Sequence, residues 1–438
     1  MLQTLLYWLK RILPTSLVER VRPPYHLVLA YLASQWYRHP SKEITVIAVT
    51  GTKGKSTVTE MVTTILEADG NSVASLSTIQ FKIGKETKRN LFKMTMPGRF
   101  FVQRFLRNAV NAGCTYAVIE MTSEGAKQFR HRFIEMDALV FTNLSPEHIE
   151  SHGSFEKYKA AKLAIAQQLA DSAKQPRYLV VNTDDEHGAD FLRYKVEEKL
   201  PYSLEMLKLY TLHKDGVSLV VQNGQEEVTL RVPLVGLFNV YNALAAITLT
   251  RALGVTLRTI DTAFRNLPTV KGRVEHFYSS PKAGKHITVV VDYAHTPDSL
   301  EKLYLAFKDQ RKIGVLGNTG GGRDTWKRPE MAALAEAHCE SVILTNEDPY
   351  DENPRAIVEA MLRGITDQEK ATIIMDRRLA IRTAIEQAED GMYIIVSGKG
   401  TDPYIMGPHN TKQPWSDADV VQKELLELER HHNDTDFN

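Results

Sequence analysis

The sequence predicts an α/β protein with a mostly parallel central sheet, followed by a second and smaller α/β domain. Three observations support this fold class. Short apolar strand patterns alternate with helical patterns along the chain, as they do in βαβ units. A glycine-rich turn at 50–56 joins the first apolar strand to the first helix of this series. A second series of strands starts after 266–272, and each of its strands ends in a polar or glycine-rich loop.

Taken in order, the first series has predicted strands at 44–49, 116–119, 138–144 and 178–182, and predicted helices at 57–68 and 158–170. A β-hairpin is predicted from 217–221 and 228–232, followed by a helix that starts near Asn239. The second series has strands at 287–291, 313–316, 341–344 and 393–396, with helices at 298–308, 329–337, 354–363 and 378–388. We therefore expect a helical arm (1–43), a P-loop-type central domain (44–270) and a Rossmann-like C-terminal domain (271–438).

Composition excludes several classes of protein. The chain has 438 residues and a formal net charge of +1, which argues against a large basic nucleic-acid surface. Its two cysteines, Cys114 and Cys339, lie far apart, which argues against a disulfide framework and fits a reducing cytoplasm. No apolar run approaches the roughly 20 residues that a membrane-spanning helix needs. We expect a cytoplasmic monomer.

The first 42 residues have an unusual composition. Several leucine, isoleucine and tryptophan residues stand there among lysine and arginine residues. A helical arm that packs on the following domain is the interpretation we favour. An amphipathic helix on a membrane surface is the alternative. A signal peptide is disfavoured, because the basic residues follow the first apolar stretch rather than precede it.

The turn at 50–56 has the properties of a nucleotide phosphate site. Backbone N–H groups at the start of a helix bind anions, and Lys55 adds a positive charge. Gly51 and Gly54 let the backbone approach the phosphates closely, and the Ser56 hydroxyl can bind Mg²⁺. Val49 stands where the usual spacing has its first glycine, so the motif is a variant.

Three further residues of the first series are candidates for chemistry. Glu120 directly follows a predicted strand, where it is either a Mg²⁺ ligand or an ordinary surface glutamate. His148 also follows a strand; a zinc pair with His152 is disfavoured, because nearby proline and glycine oppose a continuous helix. Lys162, by spacing alone, is a solvated lysine.

Four loops of the second series end neighbouring strands, at 292–295, 317–324, 346–350 and 397–402. Ligands of open α/β sheets bind beyond the carboxyl ends of the strands, so these loops predict a second substrate pocket. Three consecutive glycines before Arg323 suit a guanidinium that binds a carboxylate or phosphate. An ordinary surface loop is the alternative for that segment.

Several motifs together resemble the Mur ligase family, and most closely its MurE branch, over about residues 44–425. They are Gly-Thr-Lys-Gly-Lys-Ser at 51–56, Thr-Asn-Leu-x-x-Glu-His at 142–148, Tyr-x-x-Ala-Lys at 158–162, Asn-x-x-Asn-Ala-Leu-Ala-Ala at 239–246, Gly-Arg at 272–273, Asp-Tyr-Ala-His-Thr-Pro-Asp-Ser-Leu at 292–300, Gly-Gly-Gly-Arg-Asp-x-x-Lys-Arg-Pro at 320–329 and Gly-Lys-Gly at 398–400. That branch adds the third residue of the peptidoglycan stem peptide. The resemblance implies an ATP-dependent ligase that joins an amino acid to a UDP-sugar-peptide.

The resemblance also implies residue roles. The nucleotide and its two Mg²⁺ ions would be held by Gly51, Thr52, Lys53, Gly54, Lys55, Ser56, Thr57, Glu120, His148, Asn242, Arg273 and Asp292. Lys162 would be carbamylated, which turns its amine into an anion able to hold the second Mg²⁺. The UDP-sugar-peptide would contact Thr95, Pro97, Ser123 and Arg130, and the amino acid would contact Arg323, Asp348, Tyr350, Gly398 and Asp402.

The sequence departs from the branch in several places. Residues 1–43 are too few for the usual N-terminal UDP-binding domain. The acceptor is therefore a UDP-sugar held differently, a lipid-linked precursor near a membrane, or a related molecule. Glu124 replaces a usual histidine, and Tyr350 replaces the arginine that holds the distal carboxylate of diaminopimelate. Asp348 and Asp402 would instead attract the side-chain ammonium of lysine or ornithine. The rival functions are a folyl- or polyglutamate-type ligase and a nucleotide-binding scaffold without catalysis.

Overall fold

The first large sheet of the protein has eight strands. The computed structural model describes residues 15–436 except Lys93, His148, Gln225 and Arg323. The strands of this sheet are β1 (Thr45–Thr50), β2 (Val73–Leu76), β3 (Gln80–Ile83), β4 (Glu86–Arg89), β5 (Tyr116–Glu120), β6 (Ala138–Phe141), β7 (Tyr178–Asn182) and β8 (Glu198–Tyr202). Their order is β4-β3-β2-β5-β1-β6-β7-β8, and all neighbours from β2 to β8 pair in parallel.

Nine α-helices are described before residue 266. They are α1 (Thr15–Trp36), α2 (Lys55–Ala68), α3 (Arg99–Asn111), α4 (Ser123–Lys127), α5 (Ile149–His152), α6 (Phe155–Ala170), α7 (Gly188–Phe191), α8 (Leu237–Ala252) and α9 (Leu257–Arg265). Helices α3, α4, α6 and α7 contribute to the core of this sheet. Residues 46–49 of the central strand are completely buried, as expected for a parallel strand covered on both faces. The strand therefore holds its carboxyl end, and the loop that follows, in a fixed position.

Three smaller sheets are present in the described part of the chain. β9 (Leu207–His213), β10 (Gly216–Asn223) and β11 (Glu226–Val232) form the first, in the order β11-β10-β9. The second has the order β12-β13-β17-β14-β15-β16, with β12 (Glu275–Tyr278), β13 (Thr288–Val291), β14 (Lys312–Leu316), β15 (Ser341–Leu344), β16 (Ala371–Ile373) and β17 (Tyr393–Val396). The third pairs β18 (Tyr404–Met406) with β19 (Lys412–Pro414).

The helices of the C-terminal part are α10 (Pro297–Ala306), α11 (Lys327–His338), α12 (Pro354–Leu362), α13 (Arg377–Gln387) and α14 (Asp417–Asp436). Apolar side chains on the two faces of the six-stranded sheet form two separate core clusters. Contacts divide the chain into two units, one of Met1–Ser145, Ser154–Leu207 and Tyr241–Phe264, the other of Pro146–Gly153, Lys208–Val240 and Arg265–Asn438.

The predicted fold class is confirmed, and most predicted elements agree with the structure to within a residue or two. The strand predicted at 138–144 ends at Phe141 in the structure. The residues after it leave the sheet because Thr142 and Asn143 form backbone hydrogen bonds with Thr50 and Thr52 of the loop at 50–56. Helix α2 starts earlier than expected, at Lys55. Strand β9 was not predicted, since most of its side chains are exposed and its apolar pattern is weak.

The predicted N-terminal arm is helical where the structure describes it. Residues 1–14 lie outside the described part, and α1 covers the next 22 residues. Ala30 and Ala33 are buried, and an Arg99 guanidinium nitrogen lies 2.8 Å from the His26 ring nitrogen Nδ1, so one face of α1 packs on the first unit. Within the described residues, no helix combines the length and apolarity needed to cross a membrane.

Candidate active site

The turn between β1 and α2 has the backbone of a phosphate loop. Gly51 and Gly54 have φ angles of 145° and 83°, which other residues rarely adopt. A Cβ on Gly51 would lie 1.9 Å from Thr142 Oγ1, and one on Gly54 would lie 2.3 Å from Asn242 Oδ1. The first N–H groups of a helix have no acceptor within the helix, so the start of α2 suits an anion. Asn242 lies beside the loop, and its predicted contact with adenine stays a prediction.

We expect Gly51→Ala to weaken ATP binding by about fivefold or more. The added methyl group would meet Thr142, and a strained backbone conformation costs about 1–3 kcal/mol. Isothermal titration with ATP and Mg²⁺ measures the change. Gly98→Ala is the matched control, because a Cβ there meets nothing within 4 Å and its φ of 169° is ordinary extended backbone. Equal affinity in the Gly51 variant and the control would contradict this role of the loop.

Residues that follow β6 hold the phosphate loop in place. The backbone N–H of Thr52 donates to the Asn143 carbonyl at 2.8 Å, and that of Lys53 donates to Asn143 Oδ1 at 2.9 Å. The Thr52 hydroxyl lies 2.9 Å from the hydroxyl of Tyr158 and accepts from the Ser145 N–H at 3.0 Å. The Thr-Asn motif and the Tyr-x-x-Ala-Lys motif therefore both support the loop.

Lys55 and Lys162 converge on one carbonyl oxygen. Lys55 Nζ donates to the Gly51 carbonyl at 2.9 Å and to that of Thr52 at 2.8 Å. Lys162 Nζ donates to the same Gly51 carbonyl at 2.6 Å and lies 4.9 Å from the centre of the Tyr158 ring. Lys162 is only 1% exposed, so its interpretation as a solvated lysine is wrong. Its burial at the loop is what the resemblance implies.

Glu120 is a buried carboxylate beside the loop. It is the last residue of β5 rather than the first residue after it, and it is 2% exposed, which excludes the surface-glutamate interpretation. Glu120 Oε2 accepts from the Ser56 hydroxyl and the Thr78 N–H, both at 2.9 Å. The Thr78 hydroxyl in turn lies 2.7 Å from that of Thr95. A hydrogen-bonded chain thus connects the phosphate loop to a predicted acceptor-binding residue.

The oxygen donors at this position fit a hard cation. Ser56 and Glu120 offer a hydroxyl and a carboxylate, which are ligand types that Mg²⁺ prefers. His148, the third predicted ligand, lies outside the described residues. No group of three or more His, Cys, Asp or Glu side chains arranged to hold a metal occurs among the residues that the structure describes. Among the described residues, Ser56 and Glu120 therefore form part of a candidate set of Mg²⁺ ligands.

The other predicted acceptor-binding residues lie on two segments that touch. Arg130 donates to the Met96 carbonyl and, at 2.7 Å, to Gln128 Oε1. Burial lowers the pKa of Arg130 below its usual value. Pro97 is the next residue along from Met96, and Ser123, 2% exposed, begins α4. An arginine is thus held next to the segment that also carries Thr95.

In the second unit, Arg273 and Asp292 occupy a common site. The Arg273 guanidinium lies 4.5 Å from the centre of the Tyr293 ring. Asp292 follows β13, and its two oxygens accept from the N–H groups of Val274 at 2.8 Å and Ala294 at 2.7 Å. The charge of Asp402 and burial raise the pKa of Tyr293 well above its usual value. Both predicted nucleotide contacts are thus fixed by backbone hydrogen bonds or ring packing.

A buried lysine stands between the two aspartates predicted to bind the amino acid. Lys399 Nζ donates to Asp348 Oδ1 at 2.7 Å and to Asp402 Oδ2 at 3.3 Å, and its side chain is fully buried. The Met406 N–H also donates to Asp348 Oδ1, at 2.8 Å. A substrate ammonium would therefore share both carboxylates with Lys399, and the predicted role of the two aspartates stays a prediction.

Glu347 adds a third carboxylate to this pocket. Its Oε1 accepts from the Thr319 hydroxyl at 2.7 Å, while its Oε2 has no hydrogen-bond partner among the described residues. Burial, followed by the charge of Asp348, raises the pKa of Glu347. A Cβ on Gly398, whose φ is 104°, would lie 2.5 Å from Oε2. A side chain at 398 would therefore collide with this carboxylate, which explains why glycine suits the position.

Two further residues were predicted to bind the amino acid, Tyr350 and Arg323. Tyr350 adopts a φ of 51°, and its N–H donates to the Met406 carbonyl at 3.0 Å. Arg323 lies outside the described residues. Sequence reasoning gave no role to Lys399, Thr78 or the unpartnered edge of Glu347. For Lys399, the flanking glycines at a strand end were the available signal.

Comparison with known proteins supports the assignment. Residues 49–250 match the Mur ligase middle domain, and residues 272–400 match the Mur ligase, glutamate ligase domain. A UDP-N-acetylmuramyl-tripeptide synthetase of Roseiflexus sp. (strain RS-1) is 36% identical over 435 residues, which cover 93% of this chain and 83% of that protein. A UDP-N-acetylmuramoyl-L-alanyl-D-glutamate–2,6-diaminopimelate ligase of Caldanaerobacter subterraneus subsp. tengcongensis is 36% identical over 414 residues, covering 92% and 82%.

Solved structures agree with these matches. The structure of a UDP-N-acetylmuramoyl-L-alanyl-D-glutamate–2,6-diaminopimelate ligase superposes with a TM-score of 0.60 at 28% identity, covering 88% of this chain and 78% of that one. MurF from Acinetobacter baumannii superposes with a TM-score of 0.68 at 18% identity, covering 92% and 80%, and shares the fold.

The parallel sheet, the phosphate loop, the two lysines that donate to it and the family match define an ATP-dependent, amide-bond-forming ligase. The chain belongs to the Mur ligase family, and its relatives are consistent with the MurE branch.

Proposed function

We propose that this protein adds the third amino acid to the peptide of a UDP-N-acetylmuramoyl-dipeptide-like acceptor in the cytoplasm, acting as a monomer. One observation carries the proposal furthest: the half-buried Lys55 and the buried Lys162 both donate to the Gly51 carbonyl, so two lysine side chains meet at the phosphate loop. The names of the relatives supply the acceptor, since they are tripeptide synthetases and diaminopimelate ligases of UDP-N-acetylmuramoyl peptides. Buried, unpaired Cys114 and Cys339 fit a reducing compartment.

The chemistry begins with a carboxylate, which is a poor electrophile. The terminal carboxylate of the acceptor attacks the γ-phosphate of ATP, ADP leaves, and an acyl phosphate forms. The amine of the amino acid then attacks the acyl carbon, loses a proton, and phosphate leaves as the amide forms. Backbone N–H groups of the loop and Lys55 bind and orient the phosphates and balance their charge.

Mg²⁺ would be held by Ser56 and Glu120, and it would neutralise charge on the phosphates. We propose that Lys162 is carbamylated and contributes to a second ion. Its near-complete burial supports this, because burial disfavours the charged ammonium and the neutral amine is the form that reacts with CO₂. In the present structure the unmodified ammonium is satisfied by the Gly51 carbonyl instead.

We propose that the amino acid carries a side-chain ammonium, as lysine and ornithine do. The carboxylates of Asp348 and Asp402 accept from Lys399, and the charge of Lys399 also acts on Glu347. The other cation that acts on Glu347, Arg377, is already paired with Asp417. The buried Oε2 of Glu347, which has no hydrogen-bond partner among the described residues, is an acceptor for a further donor. Tyr350 stands where an arginine would hold the distal carboxylate of diaminopimelate, which disfavours that substrate.

ADP release in the presence of UDP-N-acetylmuramoyl-dipeptide and a panel of amino acids tests the proposal, with mass spectrometry of the product. We expect lysine or ornithine to give ligation at least about tenfold faster than diaminopimelate, since an unpaired buried charge costs more than 1.4 kcal/mol. Strong preference for diaminopimelate would refute the assigned specificity. Ligation of glutamate to a folate would refute the acceptor, and absence of ADP release with every substrate would favour a scaffold.

A further inference from the structure

One face of α1 exposes large apolar side chains to solvent. Tyr25, Val28, Leu32 and Trp36 are 46%, 55%, 49% and 77% exposed. They are spaced by three or four residues, so they form a single stripe along the helix. An exposed apolar stripe of this kind is characteristic of a surface that binds another structure.

The stripe is not the face with which α1 packs on its own unit. Ala30, Ala33 and Ser34 are buried, and they lie on the opposite side of the helix from Leu32 and Trp36 by helical spacing. A helix that is apolar on two sides normally has neighbours on both. Among the described residues the first unit covers one side only.

The apolar surface extends from α1 onto α3. Leu32, Gln35 and Trp36 line a shallow depression together with Phe100, which is 40% exposed. Trp36 also borders the adjoining surface formed with Arg38 and Arg107. We call the stripe and Phe100 together the apolar patch.

Basic residues surround the apolar patch. Arg22 and Arg38, at either end of the stripe, are exposed, and so is Arg104, one helical turn beyond Phe100. Residues 1–42 contain six lysine and arginine residues and one acidic residue, Glu19, although the whole chain has a formal net charge of only +1. The sequence segment that contains α1 thus carries a net positive charge, and three exposed arginines border the apolar patch.

We propose that the apolar patch docks on the surface of an anionic lipid bilayer. Apolar side chains with tryptophan and tyrosine among them, rimmed by arginine, match the boundary between acyl chains and anionic headgroups. A second copy of the chain is a poorer match, because the symmetric pairing of two such patches would oppose their arginines. Residues 1–13 add seven leucine, isoleucine and tryptophan residues next to this helix in the sequence.

Sedimentation of the full chain with vesicles tests the proposal. We expect binding to phosphatidylglycerol vesicles, much weaker binding to phosphatidylcholine vesicles, and loss of binding as salt rises. Leu32→Gln with Trp36→Ser should lower partitioning onto phosphatidylglycerol at least about tenfold. Arg38→Gln with Arg104→Gln should lower binding to phosphatidylglycerol vesicles and leave the weak binding to phosphatidylcholine vesicles unchanged. The matched control is Leu209→Gln with Tyr278→Ser, two residues of the other unit that are 59% and 69% exposed.

Two further measurements separate the outcomes. The emission of Trp36, taken as the difference between the native chain and Trp36→Phe, should shift to the blue with phosphatidylglycerol vesicles. ADP release by the Leu32 and Trp36 double variant should match that of the native chain. Loss of vesicle binding can therefore be told apart from loss of ligase activity. Absence of vesicle binding, or binding that the double variant retains, would overturn the proposal. A dimer that the double variant loses, without vesicle binding, would overturn it in favour of a second copy.

Discussion

Lys162→Ala should lower the rate of ADP release by about 10³-fold or more, while the protein remains folded. Lys162 is 1% exposed, and its Nζ lies 2.6 Å from the carbonyl of the phosphate loop. Removal of a charged group preorganised beside a reacting phosphoryl typically costs 10²–10³-fold or more in rate. Steady-state ADP release with saturating ATP measures the loss. ATP affinity should change less than turnover, because Lys55 remains.

Three comparisons distinguish a carbamate from an ordinary ammonium at this position. Lys162→Arg keeps a cation but cannot be carbamylated, so it should be as inactive as Lys162→Ala. Acetate or bicarbonate should partly restore the alanine variant, and isotope-labelled bicarbonate should mark the native chain only. Lys157→Ala, on the exposed side of the same helix, is the matched control and should keep native activity. Full activity in either Lys162 variant would refute the assigned role.

The sequence predicted those parts of the site that are determined by residues close together along the chain. The apolar run before Gly51, the glycines of the loop and the helical pattern after Lys55 are local signals, and together they fix a strand, a turn and a helix. Glu120 and Asp292 were predicted near ligands because parallel strands end at one edge of a sheet. In the structure Asp292 directly follows β13, as expected. Glu120 is the last residue of β5 rather than the first residue after it.

The contacts that complete the site connect residues far apart in the chain. Lys162 and Gly51 are separated by 111 residues, and Lys399 and Asp348 by 51. Helical spacing identifies Lys162 only as a polar residue on α6, since periodicity does not indicate which strand or loop faces it. Its burial was implied by family resemblance. The partners of Lys399 had no local signal, because a lysine between two glycines is compatible with solvent.

The second large effect concerns stability. Arg377→Met should lower the free energy of unfolding of the C-terminal part by about 3–5 kcal/mol, because it leaves Asp417 as an uncompensated buried charge. Arg377 donates to the two Asp417 oxygens at 2.8 Å and 2.7 Å, and the side chains are 1% and 0% exposed. Burial alone would lower the pKa of Arg377, but the attraction of Asp417 holds it above its usual value. Urea unfolding followed by tryptophan emission measures the change, since Trp415 donates to Asp417 at 2.8 Å.

The neighbouring residue of the same helix provides the matched control. Arg378 pairs with Glu424 at 2.6 Å, but its own side chain is 51% exposed and Arg382 contacts the same carboxylate at 2.7 Å. Arg378→Met should therefore cost less than about 1 kcal/mol. Arg377→Met combined with Asp417→Leu should be more stable than Arg377→Met alone, because no charge is then stranded in the core. A single Arg377 variant as stable as the Arg378 control would show that the buried pair does not hold α13 and α14 together.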